Sequence, residues 1–331
     1  MDPALQAGHD AIAAAVESLQ PPVVVVEMHR QFGDILHATI VVRHLRSALP
    51  EHSFVFAICE QYGETLSGFD AGALGPHAYA LLPRLPAYPH DAHHRIAWVV
   101  RARELPGVVR AFGCGVHPWG SGAGSIVDSV LRNGGISELA VPRRPCLPIR
   151  VEDVESARAF LRAHGIERYV ALEYRSFSHD PLPVAWYAAF VRQLRLPVVA
   201  LAHADAPALP GTIDARATSL RQAKSIIADS TCFVGCGSGL SVLAAAIGCE
   251  SRVVENCDPA MCLPAIGYRK PGDRHALCQT RSPAELANAV HRIIAGEATA
   301  GSMVMSARTR GLGEHRGTRA QRTRVRRQRR G

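Results

Sequence analysis

The sequence predicts an α/β protein built from two Rossmann-like halves, each around a parallel sheet, facing one another across a central cleft. Three observations carry that expectation. Apolar runs alternate with segments of helical period in two series, one starting near residue 21 and one near residue 149. Between them lies VPRRPCLPIR (141–150), whose three prolines interrupt both patterns. Two of the expected strands run into glycine-bearing turns that open a helix, at RQFGD (30–34) and at CFVGCGSGLS (232–241).

The elements follow in order. PVVVVEMHR is a continuous β-branched run, as expected for a strand covered on both faces. DILHATIVVRHLRSALP places Ile35, Ala38, Val42, Leu45 and Leu49 at steps of three and four, an amphipathic helix with arginines opposite. SFVFAIC reads as a strand and QYGETLSG as a short helix. AYALLP and IAWVVR read as strands, and SIVDSVLRNGGI as a helix stopped by a glycine pair. In the second series VESARAFLRAHGI, VAWYAAFVRQL, SLRQAKSIIADS and SGLSVLAAAIG are helical, while RYVALEYR, LPVVALAHAD, TCFVG and RVVEN are strands. RSPAELANAVHRIIAG opens with the pattern of a capping box, with Ser282 as cap, Pro283 in the first turn and Glu285 three residues on. The expected divisions are an N-terminal extension (1–20), a first Rossmann-like domain (21–148), a second (149–300) and a disordered arginine-rich tail (301–331).

Charge separates that tail from the rest. Residues 301–331 hold ten arginines against one acid, Glu314; without them, 27 basic face 28 acidic residues. The net charge of +8 therefore describes a tail suited to weak, salt-sensitive contact with polyanions or anionic lipid headgroups, and the body has no basic field. The first residues lack a basic segment ahead of an apolar one, which argues against a signal peptide. No run of about 18 apolar residues suggests a membrane span. Nine scattered cysteines, several within apolar runs, read as reduced and buried in a cytoplasmic protein.

Candidate chemistry gathers at strand ends. Asp34 follows Gly33 at a helix start, where it either caps the helix or serves as a general base toward an acceptor hydroxyl. His29 and Arg30 precede it and are candidates to hold an acceptor. Gly237, Ser238, Gly239 and Ser241 either cradle a diphosphate on backbone amides and hydroxyls or let a strand pack tightly on its next helix. In EYRSFSHDPLP, Arg175, Ser176 and Ser178 leave a strand end together, as a phosphate contact or as a polar surface loop. Metal binding is not expected. HDAHH (His90, Asp91, His93, His94) lacks ligands spaced i, i+4 on a helix, and Cys257, Cys262, His275 and Cys278 fit no compact zinc spacing. No Asp-x-Asp clamp, Gly-x-Ser-x-Gly elbow or Walker-type loop occurs.

These motifs taken together resemble bacterial ADP-heptose:lipopolysaccharide heptosyltransferases and related family 9 glycosyltransferases of the GT-B fold. The likeness starts in EMHRQFGDILHATIVVRHLRSALPEHSFVFAICEQYGETLSG, fades through the middle, and returns in YVALEYRSFSHDPLPVAWYAAFVRQL. It is best in SLRQAKSIIADSTCFVGCGSGLSVLAAAIG and continues in RVVENCDPAMCLPAIG. The resemblance implies metal-independent, inverting transfer of a sugar from a nucleotide-diphosphate donor, with no cofactor beyond that co-substrate. It matches Asp34 to the family's catalytic base and residues 236–241 to its diphosphate-binding turn. It implies a glycan or glycolipid acceptor, of the cell-surface or lipopolysaccharide type, and a place in the cytoplasm, peripheral to the inner face of the membrane.

Three positions depart from the family pattern. Gly237 stands where an aspartate is usual, Val242 where a histidine is usual, and Arg175 is the cation nearest to an expected lysine. These departures set beside the transferase a GT-B-like protein that binds a nucleotide or glycan without transferring it, and the arginine tail sets a third reading, a nucleic-acid-associated protein.

Overall fold

In the computed structural model, residues 2–28, 32–63, 77–85, 92–113, 144–147, 149–176, 182–247, 252–257, 274–297 and 302–305 are described. Asp2 caps the first helix, accepting from the amides of Ala4 (2.8 Å) and Leu5 (3.4 Å), and Pro3 starts its first turn. This helix, α1 (Pro3–Glu17), buries Ile12, Ala15 and Val16 against strand residues Val23, Val25, Val55 and Ala57. Residues 3–17 are thus part of the first lobe's core.

The first sheet comprises β1 (Val23–Glu27), β2 (Ser53–Cys59), β3 (His77–Leu82) and β4 (Val108–Gly113), in the order β3-β2-β1-β4 and parallel throughout. Helix α2 (Phe32–Ala48) joins β1 to β2, and α3 (Ala92–Ala102) lies between β3 and β4. The run IAWVVR, expected as a strand, lies within α3. Its β-branched residues favour a strand locally, but Arg95, Trp98, Val99 and Ala102 are buried while Ile96 and Val100 are exposed, which is a helical period. The expected helix at 125–136 falls outside the described residues.

The second sheet has seven parallel strands in the order β11-β10-β9-β8-β5-β6-β7. They are β5 (Val170–Glu173), β6 (Val198–Leu201), β7 (Ile213–Asp214), β8 (Cys232–Gly235), β9 (Val253–Asn256), β10 (His275–Gln279) and β11 (Ser302–Met305). β11 is formed by the first residues of the segment expected to be disordered. Helices α4 (Val151–Ala163), α5 (Val184–Val191), α6 (Leu220–Asp229), α7 (Gly239–Ala246) and α8 (Pro283–Ala295) complete the lobe. Ser282 caps α8 as expected, accepting from Glu285 N (3.4 Å). The return half of the expected box is rerouted: Ser282 N donates to Thr280 Oγ1 (2.9 Å), and that hydroxyl donates to the Glu285 carboxylate.

One apolar cluster runs through both lobes, joining Val24, Val26, Phe54 and Phe56 of the first sheet to Tyr169, Ala171 and Phe233 of the second through α2, α6 and α7. This corrects the amphipathic reading of α2. Positions 35–42 are all buried, His37 and Thr39 included, because the helix is sandwiched between its own sheet and α7. The proline-rich connector is tied into the same seam. Cys146 N donates to Thr39 Oγ1 (3.1 Å), Leu147 N to Ala246 O (3.0 Å) and Arg144 Nε to Ala245 O (2.6 Å). No helix among the described residues is long and apolar enough to cross a membrane.

Candidate functional site

Both sheets reverse direction at a defined place. In the second, the chain runs outward through β5, β6 and β7, then returns to the other flank of β5 as β8. In the first, β2 and β3 lie on one flank of β1 and β4 on the other. The connections leaving the two central strands diverge at such points, opening a crevice beyond their carboxyl ends. In the second lobe that crevice lies between Glu173 and Gly235; in the first, between Glu27 and Gly113.

The turn after Gly235 uses each glycine for a different reason. A Cβ on Gly235 would lie 2.5 Å from Ser241 Oγ and 2.9 Å from the Phe233 ring, so the strand can meet α7 only without one. Gly237 has φ +74°, the left-handed region that side chains disfavour. A Cβ on Gly239 would lie 3.3 Å from Gly33 N, and one on Gly33 would lie 3.2 Å from Gly239 Cα. The glycine starts of α2 and α7 therefore meet backbone to backbone, and packing explains Gly235 and Gly239.

Hydrogen bonding further defines the turn. Ser238 caps α7, its Oγ accepting from Leu240 N (3.1 Å). The same hydroxyl donates to Glu173 Oε1, and Cys236 N donates to Glu173 Oε2 (3.4 Å). Gly237 N donates to Ser241 Oγ (3.2 Å), a fully buried hydroxyl. The side chains of Ser238 and Ser241, expected as ligand contacts, thus build the turn itself. The amide donors of that network are those of Cys236, Gly237 and Leu240, and Gly239 opens the helix, where amides lack intrahelical acceptors.

Glu173 was not singled out from sequence. It is 4% exposed, and burial pushes its carboxyl up to about 7 against the pull of the Ser238 and Cys236 hydrogen bonds, with Glu255 adding to the rise. Burial also drives the Cys236 thiol well above its ordinary range, with the Glu173 charge second. The signal was present in the strand itself, since VALE ends an otherwise apolar run in an acid, as do VVVVE and VVEN one residue before its end. Glu255 bonds His275 Nε2 at 2.7 Å.

In the first lobe Glu27 accepts from Arg95 Nε (2.9 Å) and a second guanidinium nitrogen (3.0 Å), with both side chains at most 1% exposed. Gly113 is required beside it, since a Cβ there would approach the carboxylate to 2.8 Å. Asp34 lies in the first turn of α2, half-buried, adjacent to the Gly33–Gly239 contact. Arg175 and Ser176 are half-buried just beyond β5, on the same strand end as Glu173. His29, Arg30 and Ser178 lie outside the described residues.

The sequence's two metal candidates separate. Cys278 is buried in the second lobe's core and His275 is bonded to Glu255, while Cys262 is outside the described residues. His93 and His94 begin α3, close to Asp2.

No family model and no curated protein matches the sequence. Solved structures do resemble it. A glycosyl transferase of family 9 from Veillonella parvula DSM 2008 superposes with a TM-score of 0.60 at 11% identity, covering 83% of this chain and 97% of that one. The E. coli ADP-heptose lipopolysaccharide heptosyltransferase II gives 0.60 at 14% identity, covering 83% and 99%. The E. coli heptosyltransferase WaaC with ADP gives 0.52 at 15%, covering 83% and 100%. The chain has the GT-B, heptosyltransferase-like fold.

Proposed function

We propose that the protein is a glycosyltransferase, moving a sugar from a nucleotide-diphosphate donor to a glycan or glycolipid acceptor of the cell-surface or lipopolysaccharide type. The observation that carries this reading is the meeting of two helix starts at the mouths of two facing sheets: Gly33–Asp34 from one lobe and Ser238–Gly239 from the other. Asp34 removes the proton of the acceptor hydroxyl, whose oxygen attacks the anomeric carbon opposite the departing diphosphate, inverting its configuration. The bond from that carbon to the diphosphate oxygen breaks, and the amides opening α7, with Arg175, meet the negative charge that the leaving group gains. No metal is required in this scheme. Asp34 carries the proton and the helix start carries the charge. His29 and Arg30 contact the acceptor. The protein acts in the cytoplasm at the inner face of the membrane, where the arginines of the tail meet anionic headgroups.

A second reading is favoured by a specific observation. Val242 is buried at the lobe seam, and the hydroxyls of Ser238 and Ser241 are committed within the turn. On this reading the site holds a nucleotide or glycan without transfer. One assay separates them. Thermal melting with ADP-, GDP-, UDP- and dTDP-linked sugars identifies the donor by a raised Tm, since a ligand bound only to the native state stabilises it. Release of free nucleoside diphosphate in the presence of acceptor marks a transferase. A raised Tm without release marks the binder, and neither response from any donor removes both.

A further inference from the structure

Asp2 lies 92 positions before His94 in sequence, and it meets His93 and His94 where α1 and α3 begin. We propose that Asp2, His93 and His94 form a site for one borderline transition-metal cation of the Zn2+ class, which clasps the start of α1 to the start of α3. One imidazole nitrogen from each histidine and a carboxylate oxygen of Asp2 lie within 4.8 Å of one another. Metal–ligand bonds of about 2.0–2.2 Å in tetrahedral geometry place neighbouring ligand atoms about 3.4 Å apart. Asp2 Oδ2 and His94 Nε2, at 2.9 Å, bracket that value from below, and the exposed His93 side chain has room to close from above.

The surroundings hold two of the three ligands in place. Asp2 Oδ1 accepts from Ala4 N and Leu5 N, which fixes the carboxylate and leaves Oδ2 for the histidine or a cation. His94 is buried beside Trp98, whose Nε1 donates to Leu5 O (3.0 Å) and so pins the same two helices. His94 Nδ1 has no hydrogen-bond partner among the described residues, so its tautomer is set by what Nε2 meets. The His93 and His94 rings are 3.9 Å apart at their centroids, close enough for both to reach one ion. Two imidazoles with one carboxylate suit Zn2+, Ni2+ or Cu2+, whereas Mg2+ and Ca2+ prefer all-oxygen sets. Three protein ligands leave a fourth position for water.

The test is calorimetric titration of the untagged, metal-free full chain with ZnCl2 and separately with MgCl2, paired with thermal melting. The expected result is one saturable equivalent of Zn2+, a raised Tm, and no uptake of Mg2+. The chain has 16 histidines, so variants locate the equivalent. His93→Ala removes an exposed side chain; it keeps the metal-free Tm, weakens Zn2+ binding at least tenfold and loses the Tm rise. Asp2→Asn retains a helix cap and weakens binding likewise, while His203→Ala in the second lobe changes neither. Absence of a saturable equivalent, equal binding by His93→Ala and wild type, or equal binding of Mg2+ would overturn the proposal.

Discussion

The two switch points are built alike and charged differently. In each, a buried glutamate ends the central strand next to a glycine on the neighbouring one: Glu27 beside Gly113, and Glu173 beside Gly235. Glu27 is met by a guanidinium in a two-pronged bridge. Glu173 is met by a hydroxyl and a backbone amide, which carry no charge. Desolvation therefore acts on Glu173 with no compensating cation among the described residues, and its carboxyl is pushed up to about 7. The first lobe closes its strand end with a fixed ion pair. The second puts an acid that changes charge near neutral pH beneath the turn proposed to receive a diphosphate.

Removing one member of the first pair is the severest way to break this comparison. Glu27→Ala strands the Arg95 guanidinium in the core, and unfolding by urea is expected to show a loss of about 3–5 kcal/mol. The second-lobe counterpart depends on pH. Because Glu173 binds its proton more tightly folded than unfolded, it favours the fold at low pH, and this contribution is lost as pH rises from about 4.5 to about 7. The shift corresponds to about 3 kcal/mol in all. Urea midpoints measured across that window are expected to fall in the wild type by more than in Glu173→Gln, whose amide has no such proton to lose. Equal slopes would refute the assignment.

The glycine seam yields a smaller effect. Gly33→Ala puts a methyl group against the Gly239 backbone, where no side chain can yield, and a loss of about 1–3 kcal/mol is expected by thermal melting. Ser238→Ala is expected to cost about 1 kcal/mol through the cap on Leu240 N. It also removes the donor to Glu173, so the upper end of the pH window in the preceding comparison moves upward. A window that stays in place would mean Ser238 does not help hold the Glu173 charge.

Much of this architecture was legible because helical and strand periods are local. In the second series the five helices and the strands β5, β6, β8 and β9 were legible, since each apolar run there ends in a clear turn, whereas β7, β10 and β11 were not expected. IAWVVR misled because β-branched residues favour strands until the burial of Arg95, Trp98 and Val99 on one face is known. The all-round burial of α2 was hidden for a related reason: it packs on α7 of the other lobe and Thr39 accepts from Cys146 N of the connector, and no window of sequence contains those partners. Of the site, the glycines were visible, but their separate causes were not, because Gly239 answers to Gly33, some two hundred residues away. Glu173 was overlooked although an acid closing a buried apolar strand marks a group with a cost to offset.

The most direct measurement compares wild type with Asp34→Asn under the nucleotide-sugar that stabilises the wild type, following release of nucleoside diphosphate with acceptor present. The expected result is donor binding and melting unchanged with turnover reduced about 10²–10⁴-fold, as for loss of a general base. Wild-type turnover in the variant would contradict the assignment of Asp34 and, with it, sugar transfer at the junction of the two helix starts.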